Sequence, residues 1–165
     1  MGLGPYTKTI VQDNVTRILA THHNTQENQI EALTDYALAI NNMVADSVNF
    51  GTVAAGVATE RPVFVAPADC RVYGVILVNS DNVPANSVNY TKLELVNKGS
   101  TGSGSIVIAT FDGSNTSFTA FDAVSLSMTA VDLSANDVLT IRKSDTGTGA
   151  NVTNLLVKIL YRPIP

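Results

Sequence analysis

At Asn49 the sequence changes its period. Before that point, residues 25–48 contain Gln, Glu, Ala, Leu and Met with neither glycine nor proline, a composition that favours helix. After it, β-branched residues, two-residue alternation and turn clusters at fairly regular intervals take over. A 3.6-residue repeat and a 2-residue repeat present different faces and cannot share one element. The chain therefore reads as three parts: an N-terminal arm (1–24), one helix (25–48) and a β domain (49–165).

The β part sets the fold class. Val124, Leu126 and Met128 alternate with Ser125, Ser127 and Thr129, and Leu139 and Ile141 alternate with Thr140 and Arg142. Such alternation marks antiparallel strands with one face on a core and one toward water. Residues 72–78 and 155–160 are apolar on both faces, as in central strands covered on their second side, with a neighbouring subunit as one candidate cover. Turn chemistry at 67–69, 83–84, 99–104, 112–115, 134–137 and 145–149 separates about eight strands, near 49–54, 61–66, 70–79, 88–97, 104–111, 118–129, 137–143 and 153–161. The expectation is a mainly β chain, an antiparallel jelly-roll-like β-sandwich preceded by the arm and one α-helix.

The helical segment opens with Asn24 and Glu27 at capping-box spacing, and Glu27 and Glu31 complement the positive end of the helix dipole. Its apolar positions Ile30, Leu33, Ala37, Ile40 and Val44 step 3, 4, 3, 4, the narrow stripe of a heptad repeat. Two heptads are marginal alone, so the stripe needs either its own β domain or sister helices. The oligomer interface is assigned to these five residues, and isoleucine in the seam leans toward three strands. In the arm, Tyr6, Ile10, Val11, Val15, Ile18 and Leu19 form too short an apolar set to bury itself. They are assigned to docking on another surface.

Charge and composition exclude several functions. Charged residues make up 15% of the 165 residues and the net charge is −4. The ten Lys and Arg are scattered, with no basic patch for nucleic acid. A single cysteine, Cys70, excludes an internal disulfide and permits a reducing compartment. No run of about 18 apolar residues and no signal-peptide pattern occurs, so the sequence reads as a complete soluble chain with no membrane partner.

Catalytic and ligand-binding motifs give no constellation. Asp145-Thr146-Gly147 matches the aspartic-protease tripeptide but lies between Arg142-Lys143-Ser144 and Thr148-Gly149-Ala150, which reads as a solvent-exposed hairpin. His22 and His23 are adjacent, so they point to different faces, and no further ligand group joins them unless copies meet on a symmetry axis. Cys70 in a β run reads as a small buried hydrophobe rather than a nucleophile. The glycine-rich stretch 98–104 lacks the Gly-Lys-Ser/Thr ending of a phosphate loop, and 112–115 lacks the rest of an EF-hand. No enzyme activity, metal or cofactor is expected.

A family resemblance supplies what chemistry does not. Thr21-His22-His23-Asn24-Thr25-Gln26-Glu27 is similar to a stretch near the start of phage minor structural proteins. Phe64-Val65-Ala66-Pro67-Ala68-Asp69-Cys70-Arg71-Val72 resembles the first long strand of a phage β-sandwich module. The segments 89–97, 118–121 and 135–141, the last with Asn136 where many such modules have glycine, continue the likeness. Together they resemble bacteriophage virion proteins of the capsid-decoration (cement) and head-fibre type. The resemblance implies a non-enzymatic homotrimer on the outer capsid surface, made in the bacterial host cytoplasm and bound to the major capsid protein or other virion proteins through its arm and helix. Related sandwiches serve as tail fibre bases or receptor-binding heads. In that alternative the 81–86 and 99–104 loops would contact host glycans.

Overall fold

The computed structural model describes residues 43–164, nearly all of the unit that begins at Met43. These residues form nine strands and no helix: β1 (Val44–Val53), β2 (Thr59–Val65), β3 (Cys70–Val78), β4 (Tyr90–Asn97), β5 (Ile106–Asp112), β6 (Ala123–Leu126), β7 (Val131–Leu133), β8 (Val138–Thr146) and β9 (Val152–Pro163). All pairings are antiparallel. One sheet has the order β1-β9-β3-β6, with β7 also paired to β3, and the other has the order β2-β8-β4-β5.

Alternation builds the core. Val72, Val75 and Leu77 of β3 and Leu155, Val157 and Ile159 of β9 face inward from the first sheet. From the second, Leu93 and Leu95 of β4 and Leu139 and Ile141 of β8 meet them. All ten are essentially inaccessible to water and belong to one apolar cluster. Aromatic rings fill the remaining space. Phe111 stacks on Phe118 with centroids 4.1 Å apart, and Phe64 lies against Tyr161 at 4.8 Å. Burial raises the Tyr161 phenol above its ordinary pKa, with the Asp46 and Cys70 charges adding to the effect.

The β boundary lies earlier than the composition implies. Val44–Val48 belong to β1, where Val44 pairs with Tyr161 and Val48 with Val157. The helix over 25–48 is thus overturned across its last five residues. Val44 drops out of the heptad stripe and is a strand residue, 42% exposed. The physical cause is the open edge of β9, whose backbone groups need partners that a helix cannot supply. Ile30, Leu33, Ala37 and Ile40, and all of the arm, lie outside the described residues.

A second difference concerns the strand expected over 118–129. Only the four residues of β6 form a strand within that span, and β7 follows beyond it; both pair with β3, on successive stretches. Val124 and Leu126 still face the core, and Met128 packs against it from beyond the strand end. Phe118 makes only an isolated bridge to Val83, and Phe121 sits at φ 64°, a left-handed conformation that ends extended pairing.

Candidate functional site

The most chemically conspicuous group is an ion pair at one end of the core. Along β8, Leu139, Ile141, Lys143 and Asp145 share the inward face. Lys143 is fully buried and the Asp145 side chain is 6% exposed. The Lys143 ammonium donates to the carbonyls of Ala54 and Val57, each at 3.2 Å, and to Oδ2 of Asp145. Asp145 also accepts from the Gly56 amide at 2.8 Å and from the Thr91 hydroxyl at 2.5 Å. Three donors and three acceptors close the ammonium completely. The cluster ties the β1–β2 turn to the β8–β9 hairpin and to β4, which is a structural task.

These contacts revise the reading of Asp145-Thr146-Gly147. The tip is exposed, as a hairpin requires, but Lys143 and Asp145 are not. The carboxylate is engaged by a cation rather than held for proton transfer. Gly147 has φ 63°, and a Cβ there would lie 2.2 Å from the Asn89 side-chain oxygen. That oxygen accepts from the Thr148 amide at 2.9 Å, so the turn is packed down onto the 86–89 segment. Continuing the inward alternation of Leu139 and Ile141 by two steps would have located Lys143 and Asp145. A charged side chain read as solvated by type conceals this signal.

Other singled-out residues have settled roles. Cys70 is a free thiol, 1% exposed; burial and the nearby Asp69, Asp137 and Asp132 charges push its pKa up. The 98–104 stretch is the β4–β5 hairpin tip, with Gly99 and Gly102 at positive φ. In the 112–115 turn, Asp112 Oδ1 accepts from the Ser114 amide at 2.9 Å, and this bond holds its carboxyl below the ordinary range. Asn136 takes φ 69°, the left-handed turn geometry open to asparagine. His22 and His23 lie outside the described residues.

The outward faces of the two sheets carry different mixtures, the second also exposing Val65, Ile106 and Val107 on its edge strands β2 and β5. The second carries charged groups that satisfy one another. Glu60 accepts from the Thr140 hydroxyl at 2.6 Å and pairs with Lys98 at 3.4 Å, while Arg142 pairs with Glu94 at 2.9 Å. The Thr140 hydrogen bond, helped by the Lys98 charge against the opposing effect of burial, holds Glu60 below its usual pKa.

The first sheet presents aliphatic rows instead. Register places Asn49, Leu156, Val78 and Ala123 across one row, Ser47, Lys158, Ile76 and Ser125 across the next, and Ala45, Leu160 and Gly74 across a third. Leu156 is 38% exposed and Ile76, Val78 and Leu160 are half-buried, with only small neighbours beside them on β1 and β6. Among the described residues no carboxylate lies within ion-pair distance of Lys158, which stands in the middle row of this face. At the lower end of the face Arg71 forms a two-point pair with Asp132 across to β7, and Arg162 lies over the Tyr73 ring at 5.5 Å.

A groove of about 420 Å³ opens where β1 meets β2, lined by Asp46, Val48, Pro62 and Phe64 among others. Beside Pro62, Arg61 bridges β2 to β1, its guanidinium over the Phe50 ring at 5.3 Å and donating to the Phe50 carbonyl at 2.6 Å. The groove is open and holds no convergent polar set like that of a small-molecule site. Neither a scan of protein-family models nor a search of curated proteins finds a match to this chain.

Proposed function

We propose that this chain is a non-enzymatic virion structural protein of a bacteriophage, a trimeric decoration or head-fibre protein that binds the outer capsid surface through its N-terminal arm and helix. The observation that carries the reading is the row of aliphatic side chains on the outward face of the first sheet. Leu156, Val78, Ile76 and Leu160, flanked by Ala45, Ser47, Ala123 and Ser125 and with Lys158 in the middle row, suit burial against a second copy that offers Lys158 an acceptor. Among the described residues the buried Lys143–Asp145 cluster is consumed in tying loops together, which leaves it no part in turnover.

The strand order supports the finer fold within this reading. β6 and β7 both pair with β3 and count as two stretches of one interrupted strand. Eight strands then remain in the orders 1-8-3-6 and 2-7-4-5, the pattern of a jelly roll, an architecture frequent in viral coat proteins. The arm residues Tyr6, Ile10, Val11, Val15, Ile18 and Leu19 serve as the grip, and three weak grips on one particle multiply into firm attachment. Ile30, Leu33, Ala37 and Ile40 form the helical part of the contact between copies.

Light scattering on the purified full chain is expected to give three times 17.4 kDa. A clean monomer at high concentration ends the trimer assignment. Undecorated capsids should bind the full chain and release a chain lacking 1–24. Undiminished binding by the shortened chain would remove the grip from the arm.

A further inference from the structure

At the end of the sandwich opposite Val44 and Pro163, the 79–89, 113–122 and 147–151 loops come together with the 54–58 turn. Phe121 stands there with its side chain 74% exposed, the highest value among the exposed large hydrophobics of the described residues. Its backbone is left-handed, φ 64°, a region that a bulky residue rarely enters and that glycine enters freely. Burial gives no reason for the ring to be there, and the backbone geometry opposes it. Such a combination at a loop tip points to a contact made with something else.

The position is also rigidly held. The Phe121 amide donates to the Asn79 carbonyl at 2.8 Å, and the preceding Ala120 amide donates to Asn82 Oδ1 at 2.8 Å. Asn79 is itself fully buried, with Oδ1 accepting from the Thr153 amide and Nδ2 donating to the Asp81 carbonyl, both at 2.8 Å. The ring is thus mounted on a turn fixed to β9 and to the 79–82 segment.

The surroundings select the ligand class. Thr119 and Asp122 on the same turn, and Asp81 and Asn82 on the turn bonded to it, are exposed and polar. A protein-binding hot spot sets its aromatic anchor among other apolar groups that exclude water. One flat ring beside carboxylates and an amide instead matches a sugar, whose C–H face stacks on the aromatic while its hydroxyls bond the polar side chains. We propose that Phe121 is the stacking platform of a carbohydrate-binding site, with Asp81, Asn82 and Asp122 as hydroxyl partners. Glycan contact expected from the sequence falls on the 81–86 and 99–104 loops, neither of which has an aromatic; Phe121 joins the 81–86 loop only through the fold.

The experiment uses the full chain on a glycan array carrying bacterial lipopolysaccharide, capsule and teichoic-acid glycans together with plant and animal glycans. Saturable binding to at least one glycan is expected. Phe121→Ala and Phe121→Gly should each weaken it at least tenfold, and Phe121→Tyr should retain it. Phe121→Gly relieves the left-handed strain, so it should melt no lower than the parent, which separates lost binding from lost folding. No saturable binding anywhere on the array overturns the proposal, as does binding that survives Phe121→Gly. Phe121-dependent binding to bacterial cells that persists after periodate has oxidised the cell-surface sugars would assign the ring to a protein partner and overturn it equally. Only the choice of bacterial glycans and bacterial cells rests on the virion reading. Phe121-dependent binding confined to plant or animal glycans would sustain the site and count against that reading, whereas failure to bind capsids would leave the site untouched.

Discussion

Lys143 brings a positive charge into a region where no water can solvate it, and three oxygen acceptors make that tolerable. Removing one partner is far costlier than the pair is worth, because the other charge stays buried. Lys143→Met should therefore lower stability by about 3–5 kcal/mol in urea unfolding. Adding Asp145→Asn should cost much less than its effect in the parent, giving a measurable coupling in a double-mutant cycle. A second residue-scale expectation concerns acid. Glu60, Asp112 and Asp132 all have pKa values below their ordinary ones, chiefly through hydrogen bonds from Thr140, Ser114 and Arg71 respectively. A depressed carboxylate contributes stability that is present above its unfolded pKa, 4.5 for Glu60 and 3.8 for the aspartates, and lost as pH falls through the folded value. The melting temperature should thus decline below about pH 4.5 and be flat in this respect at neutral pH. Thr140→Val removes the largest cause at Glu60 and should make that decline shallower, which a series of thermal melts checks.

At the scale of elements, β1 shows why composition misplaces a boundary. Met43, Ala45 and Asp46 suit a helix as well as a strand, and the decision falls to β9, whose edge would otherwise lie unpaired. The rungs from Val44↔Tyr161 to Val48↔Val157 then add ladder bonds along the first sheet. A fragment beginning at residue 49 loses them, whereas one beginning at residue 43 keeps them and the whole core. The shorter fragment should melt lower by roughly 5–10 °C, a loss of about 1–2 kcal/mol. Equal melting would mean that these residues pair only weakly with β9. Edge protection accounts for other choices in the same region. Pro62 sits on β2, the edge of the second sheet, and Asp46 lies on the inward-facing side of β1, so neither edge is a clean template for a further strand.

For the molecule as a whole, the outward aliphatic face makes the proposed assembly sensitive to charge. Ile76→Glu combined with Leu160→Glu should reduce the light-scattering mass to that of a single chain while leaving the melting of the sandwich nearly unchanged, since both side chains point away from the core. A persistent trimer would place the contact elsewhere. Much of this architecture is readable from the residues alone. Period-2 alternation marks the strands because a pleated backbone sends successive side chains to opposite faces, and Leu139, Ile141, Leu155 and Val157 fall inward as that rule requires. Turn chemistry at Asn136 and Gly147 is equally local, being a matter of which residues tolerate positive φ. Long-range pairing is not local. The capture of Val44–Val48 by β9, the burial of Lys143 under carbonyls nearly ninety positions away in sequence, and the mounting of Phe121 on Asn79 each depend on contacts between distant segments. No window of neighbouring residues contains those contacts, because they exist only once the two sheets have closed over their shared core.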